Sequence, residues 1–146
     1  MAGLKLAKGA TVYLDANILV YVVESHHRYR PVLEPLLEQA QTTVVRLITS
    51  QLTILECLIV PMRVDNHVLI EAYRQALMAS DLVLVPVTLE VLMEAASLRA
   101  KYPALRTPDA IHWATMRIQK ADLLLTNDLR LARAIGSGCV LLDDLI

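Results

Sequence analysis

The sequence predicts an α/β protein, a three-layer sandwich with a central parallel sheet of four to five strands. Short β-rich apolar runs alternate along the 146-residue chain with longer segments that carry apolar residues at helical spacing. The short runs lack polar–apolar alternation, which is typical of strands covered on both faces. Because helices separate successive strands, the strands are expected to pair in parallel through right-handed crossovers.

Strands are predicted where valine, isoleucine, leucine and cysteine run together and then stop at a polar residue or a proline. These runs cover 11–14 before Asp15, 44–49 before Ser50, 82–85 before Pro86, 122–125 before Thr126, and 139–142 before Asp143. Each run has the length of an ordinary strand. The fifth run closes the chain, so the sheet is predicted to contain four strands, or five if this run joins it.

Helices are predicted between these runs, over 31–41, 51–62, 65–79, a segment that opens at Thr88, and 109–119. Ser50 and Thr88 are candidate N-caps, and Pro108 suits the first turn of its helix. A short helix is expected after Asp128. Nothing marks a linker, so residues 1–146 are expected to form a single domain, with residues 1–10 as an N-terminal extension.

Composition limits what the protein does. The hydrophobic share of 55% and the mean hydropathy of +0.47 exclude a disordered chain. No apolar run reaches the ~18 residues of a membrane span, and the start resembles no secretory leader, so a cytoplasmic protein is expected. With 14 basic and 15 acidic residues the net charge is −1, so any nucleic-acid binding must be local or shared between subunits. The apolar surplus predicts a partner-covered surface.

Four acidic residues are placed where a parallel α/β sheet binds ligands. Asp15 directly follows the first predicted strand, and Asp128 follows the fourth. Glu56 lies inside the helix after the second strand, and Asp109 opens the helix before the fourth. Ligands of open parallel sheets bind outside the carboxyl ends of the strands, so these four side chains are expected to converge there.

Convergence of these acids would favour a bound metal ion. Glu56 has apolar neighbours, and a carboxylate in such surroundings needs a cation to offset its desolvation. Two carboxylates ~4 Å apart repel by ~4 kcal/mol at an effective dielectric of ~20. Oxygen ligands with open positions suit Mg²⁺ or Mn²⁺, which activate water during phosphodiester hydrolysis. The predicted chemistry is metal-dependent hydrolysis of a nucleic-acid backbone.

Nearby polar residues are candidates for supporting roles. Asn17 and Thr126, each two positions from an acid, are predicted to orient carboxylates or metal-bound water. Arg106, Arg130 and Arg133 flank Asp109 and Asp128 and are candidates to hold phosphate, although each alone also fits a solvated helix face. His112 is a candidate base, with local packing or hydrogen bonding as the alternative. Cys57 and Cys139 are expected to be reduced core residues.

The acidic residues stand in motifs that resemble the PIN domain, and within it the VapC-type toxins of bacterial and archaeal toxin–antitoxin pairs. In chain order these motifs are 14–19 (LDANIL), 50–56 (SQLTILE), 107–114 (TPDAIHWA) and 125–128 (LTND). The ordered set of four is specific, and it extends from about the first strand to the last.

The resemblance implies a Mg²⁺- or Mn²⁺-dependent endoribonuclease whose catalytic and metal-binding residues are Asp15, Glu56, Asp109 and Asp128, supported by Asn17 and Thr126. It also implies a homodimer and a cognate antitoxin that covers the active-site groove. The residues expected to contribute to a partner-covered surface are Ile54, Leu58, Ile59, Val60 and Met62.

Two other interpretations stay open at this point. A phosphatase of the haloacid-dehalogenase type also uses an Asp after its first strand, but it needs a second Asp two residues later, where this chain has Asn17. A PIN-like module that binds RNA or a protein without cutting would share the fold. The sequence leaves open which RNA is cut, whether DNA is also cut, and how many metal ions take part.

Overall fold

The computed structural model describes residues 4–42 and 44–146 and contains a parallel sheet of five strands. The strands are β1 (Thr11–Leu14), β2 (Arg46–Ser50), β3 (Leu82–Val85), β4 (Leu123–Thr126) and β5 (Cys139–Leu141). Their order in the sheet is β3-β2-β1-β4-β5, and every neighbouring pair is parallel. The predicted fold class is confirmed, and the fifth predicted strand joins the sheet.

The helices of the described residues are α1 (Ala16–Val23), α2 (Arg30–Gln41), α3 (Leu52–Arg63), α4 (His67–Leu77), α5 (Leu89–Lys101), α6 (Thr107–Ile118) and α7 (Leu129–Ile135). A short 3₁₀ helix, Leu142–Leu145, follows β5, so the last predicted strand ends one residue early. Helix α1 was not predicted. Its sequence is apolar almost throughout and rich in valine, which hides the helical period, yet Asp15 caps it and its own residues Ile18 and Leu19 are buried.

Helices cover both faces of the sheet because successive strand residues point to opposite sides. On one face, Val12 and Leu14 of β1 and Leu125 of β4 pack with α1 to α4. On the other face, Tyr13 of β1 and Leu124 of β4 pack with α5, α6 and α7. This arrangement is the three-layer sandwich that the uniformly apolar strands predict.

Part of the segment before β1 packs against the core. Residues 1–3 of the predicted N-terminal extension lie outside the described residues, whereas Leu4 and Leu6 pack against the core of the first face.

Cys57 and Cys139 are both free, and burial raises the pKa of each thiol to about 12. Within residues 4–42 and 44–146, no helix is long and apolar enough to cross a membrane.

Candidate active site

The connectivity of the sheet creates a natural binding position beside β1. From β1 the chain builds β2 and β3 on one side, and it later returns to place β4 and β5 on the other. The carboxyl ends of β1 and β4 therefore flank a topological switch point, where open parallel sheets leave a crevice for ligands. Asp15 follows β1 at this point, and Thr126 ends β4 beside it.

Asp15 is held at the switch point by contacts to both of its carboxylate oxygens. Its Oδ1 accepts a hydrogen bond from the backbone N–H of Ala16 at 2.8 Å, which caps α1. Its Oδ2 accepts the hydroxyl of Thr126 at 2.6 Å. Asp15 is only 7% exposed, so the carboxylate has a fixed position at the bottom of the crevice.

Asn17 joins the loops that follow β1 and β4. Its Nδ2 lies 3.4 Å from Asp15 Oδ2 and 3.5 Å from Thr126 Oγ1. Its Oδ1 accepts the backbone N–H of Asn127 at 3.2 Å. Asn17 and Thr126 thus contact the carboxylate that they were predicted to orient, and they hold the two strand ends in register.

Glu56 reaches the same crevice from α3 and meets His112 of α6. The His112 Nε2 lies 2.5 Å from Glu56 Oε1 and 3.7 Å from Asp15 Oδ1. Burial alone lowers the pKa of this ring. The hydrogen bond to Glu56 and the charges of Asp15, Glu56 and Asp109 act against burial, and the net effect is a raised pKa for His112. His112 therefore lies between two of the predicted acids and compensates their charge.

Tyr13 fixes the other side of the His112 ring. Its hydroxyl lies 2.5 Å from His112 Nδ1 and accepts the backbone N–H of Ser50 at 3.1 Å. Burial, reinforced by the charge of Asp15, raises the pKa of Tyr13, so the phenol stays protonated. The Tyr13 hydroxyl and Nδ1 therefore share a buried hydrogen bond that holds the ring with Nε2 toward Glu56.

Asp109 and Asp128 form the second half of the site, and Arg106 bridges them. Arg106 Nε lies 3.4 Å from Asp109 Oδ2, and its Nη2 lies 3.4 Å from Asp128 Oδ2. The Oδ1 of Asp128 caps α7 by accepting the backbone N–H of Arg130 at 2.9 Å. Burial raises the pKa of Asp109, Arg106 opposes this, and the charges of Asp128 and Asp15 add to it. Asp109 and Asp128 therefore lie on either side of one guanidinium group.

The crevice thus brings the four predicted acids to one edge of the sheet, but in two pairs with a basic side chain in each. His112 lies between Asp15 and Glu56, and Arg106 lies between Asp109 and Asp128. In the described part of the chain, no three His, Cys, Asp or Glu side chains form a group that could hold a metal ion as they stand. Two basic side chains of the protein, His112 and Arg106, thus lie between the acids that were expected to meet around a metal ion.

The site contains Tyr13, which the sequence did not reveal, and His112, which the sequence offered as a candidate base without showing its partners Glu56 and Asp15. The signal for His112 was its spacing: three positions after Asp109 on a helix, it lies on the same face of α6. Nothing comparable marks Tyr13, which reaches His112 from a neighbouring layer. Of the arginines predicted to hold phosphate, Arg106 is engaged with two acids, Arg130 lies 3.9 Å from Asp128, and Arg133 is exposed.

Fold and crevice together define an α/β protein with an acidic site at the switch point of an open parallel sheet. The chain belongs to the PIN domain family, whose model matches residues 12–136. The resemblance inferred from the four acidic motifs is thereby confirmed at the level of the family.

Two solved structures have a similar fold. One is a toxin–antitoxin complex from Klebsiella pneumoniae, 22% identical, with a TM-score of 0.66 over 90% of this chain and 97% of that chain. The other is VapBC2 from Rickettsia felis bound to a DNA fragment from their promoter, 16% identical, with a TM-score of 0.66 over 89% of this chain and 97% of that chain. No curated protein sequence matches this chain.

Proposed function

We propose that this protein is a metal-dependent endoribonuclease and the toxin of a toxin–antitoxin pair. The observation that carries the proposal is the convergence of Asp15, Glu56, Asp109 and Asp128 on the switch-point crevice of a PIN domain. PIN domain proteins of the VapC kind are nucleases, and the two similar folds belong to a toxin–antitoxin complex and a VapBC complex.

The donor set of the crevice fits Mg²⁺ or Mn²⁺. It consists of carboxylate oxygens, which hard divalent cations prefer, and the four acids named above would be the ligands. Arg106 is a long, largely exposed side chain that can leave the acids it bridges, and His112 can lose its proton. When bound, the metal supplies an activated water and stabilises the leaving oxygen in phosphodiester hydrolysis.

The other residues of the crevice would set the geometry of this chemistry. Thr126 and Asn17 hold the Asp15 carboxylate, so that its free lone pairs face the substrate. Tyr13 holds the His112 ring, which in turn holds Glu56. Arg130 and Arg133 of α7 would contact the phosphates of a bound strand.

Metal removal is the direct test of the proposed function. We expect the purified chain to cut single-stranded RNA with Mg²⁺ or Mn²⁺ and to stop cutting in excess EDTA. Mn²⁺ at 100 times its dissociation constant should also stabilise the fold by about 2.7 kcal/mol, measured as a rise in melting temperature. Full cleavage in EDTA would contradict the proposal.

The alternative is a PIN module that binds RNA without cutting it, and one observation favours it: His112 and Arg106 compensate the acids without a metal. RNA binding with no cleavage in Mg²⁺ or Mn²⁺, and no rise in melting temperature with Mn²⁺, would support this alternative.

The phosphatase interpretation loses its basis, because the chain is a PIN domain and Asn17 holds Asp15 and Thr126 through its side-chain amide.

The proposed antitoxin would cover the apolar surface of α3 that flanks Glu56. Of the five residues predicted to contribute, Ile59, Val60 and Met62 are exposed, whereas Ile54 and Leu58 pack against the core. Leu55, which the sequence analysis did not single out, is 57% exposed on the same helix. Large exposed apolar side chains in one place are typical of a binding surface, and this one borders the crevice.

A charge introduced into this surface should weaken the complex with the antitoxin. We expect Val60→Asp to lower affinity at least about tenfold, because the partner would bury an unpaired carboxylate. The measurement is titration with the antitoxin that the proposal expects to be encoded by a small reading frame next to this one. Leu89→Asp on α5, which replaces another exposed apolar residue, is the matched control. Equal losses in both variants would contradict the assignment of this surface.

The proposed homodimer is tested separately, by measuring the mass of the purified protein by light scattering.

A further inference from the structure

A cavity of about 460 Å³ lies directly beside the acidic crevice, between the end of α5, the loop 102–106 and α7. Its size lies within the range of ~300–1,000 Å³ that is common for small-molecule sites. Asp109 and Arg106 belong to its lining and also to the acidic site. A ligand in this cavity would therefore touch the groups that surround the proposed metal.

One part of the cavity lining is apolar and firmly supported. It is formed by Tyr102, Pro103, Ala104, Leu105, Leu131 and Ala134. Leu105 and Leu131 are buried, and the Tyr102 ring packs on Trp113 with 5.2 Å between the ring centroids. The lining thus offers an aromatic ring whose position is fixed by the core, next to aliphatic side chains. Such a surface suits a planar apolar group.

Apart from Asp109, the rest of the cavity lining is cationic. Lys101, Arg106, Arg130 and Arg133 all contribute to it, in a chain whose net charge is −1. Arg106 and Arg130 lie near Asp128, whereas neither Lys101 nor Arg133 has a carboxylate within 4.0 Å among residues 4–42 and 44–146. The Lys101 ammonium lies 5.6 Å from the centre of the Tyr102 ring. The ligand that fits is therefore an anion with a planar apolar part.

We propose that this cavity binds one nucleotide of the RNA substrate, next to the phosphate that is cut. The base would lie against the apolar lining near Tyr102, and its phosphate would contact Arg130 and Arg133. This inference rests on the proposed function and deepens it. It also explains how a chain with near-zero net charge holds RNA, since the positive charge is concentrated where the strand leaves the acidic crevice.

Filling the cavity tests the proposal without altering its charge. We expect Ala134→Phe to weaken binding of a fluorescent single-stranded RNA oligonucleotide at least about fivefold, the scale of losing one base–aromatic contact. Binding is measured by anisotropy in EDTA, in an Asp15→Asn background that is not expected to cut. Ala72→Phe is the matched control, since Ala72 is also half-buried but lines a separate depression on α4.

A second variant keeps the test decisive if Ala134→Phe does not fold. Arg133→Gln removes charge without filling the cavity, and it should lower the slope of log affinity against log salt by about 0.7. Unchanged RNA affinity in a folded Ala134→Phe protein, together with an unchanged salt slope in Arg133→Gln, overturns the inference. Equal losses in Ala134→Phe and Ala72→Phe overturn it as well.

The same measurements separate this inference from the proposed function. Metal-dependent cleavage by the wild-type protein with cavity variants that bind RNA normally would leave the nuclease standing and remove the nucleotide site. Cavity-dependent RNA binding by a wild-type protein that never cuts would support the nucleotide site and remove the nuclease.

Discussion

Asp15→Asn should reduce RNA cleavage roughly 100-fold or more, the scale for loss of one preorganised charged group in an active site. The substitution keeps the size of the side chain, and its amide oxygen can still accept the N–H of Ala16. It removes the negative charge at the switch point, where a divalent cation would have its most buried ligand, and it replaces the Oδ2 acceptor that faces Thr126 and Asn17 by an amide donor. The measurement is the rate of cleavage of single-stranded RNA with Mg²⁺ or Mn²⁺.

The matched control is Asp81→Asn, which also removes one carboxylate charge. Asp81 precedes β3 and therefore lies at the opposite edge of the sheet, away from the crevice. Its substitution should leave both the cleavage rate and the Mn²⁺-induced rise in melting temperature unchanged. Asp15→Asn protein that cuts at the wild-type rate would remove Asp15 from the proposed mechanism, whatever the control shows.

Tyr13→Phe should destabilise the fold by about 2–4 kcal/mol although it deletes a single oxygen atom. The Tyr13 hydroxyl accepts the backbone N–H of Ser50 and is hydrogen-bonded to His112 Nδ1, and all three groups are buried. Phenylalanine would leave both partners without a hydrogen bond, at a cost of ~1–3 kcal/mol for each buried group. Urea unfolding, followed by circular dichroism, measures the change.

Tyr102→Phe is the comparison that isolates the hydrogen bonds. Tyr102 is half-buried, and its hydroxyl has no hydrogen-bond partner among the residues that the structure describes. Its loss should change stability by less than about 0.5 kcal/mol. If Tyr13→Phe changed the free energy of unfolding as little as Tyr102→Phe, the hydrogen bonds that link Ser50 and His112 through Tyr13 would not contribute to stability.

The layers of the fold follow from features that a single sequence displays. The strands are short runs without alternation, and helices such as α5 begin at a residue, Thr88, whose hydroxyl accepts the N–H of Val91 as a cap. Helix α1 was not predicted, because apolar residues lie on all sides of this helix and leave no amphipathic pattern in the sequence. What makes it a helix is its position between the sheet and α3, with Asp15 at its start, and this depends on tertiary structure.

The sequence predicted the part of the candidate site that is formed by residues directly after strands. Asp15 and Asp128 follow strands, so their meeting at one edge comes from the rule for parallel sheets. The contacts of His112 are of another kind: its two ring nitrogens face Tyr13 and Glu56, which are 99 and 56 positions away. Such partners depend on how α3 and α6 pack across the sheet, and no local pattern reports that.

The Thr126–Asp15 hydrogen bond, which joins residues 111 positions apart, has a consequence for synthesis of the protein. At about 5–20 residues per second, a ribosome takes several seconds to advance from the codon for Asp15 to that for Asp128. During that interval the nascent polypeptide has only part of its set of acids and lacks the strand that completes the crevice. The crevice with its four carboxylates is therefore incomplete until β4 and the residues that follow it have been translated.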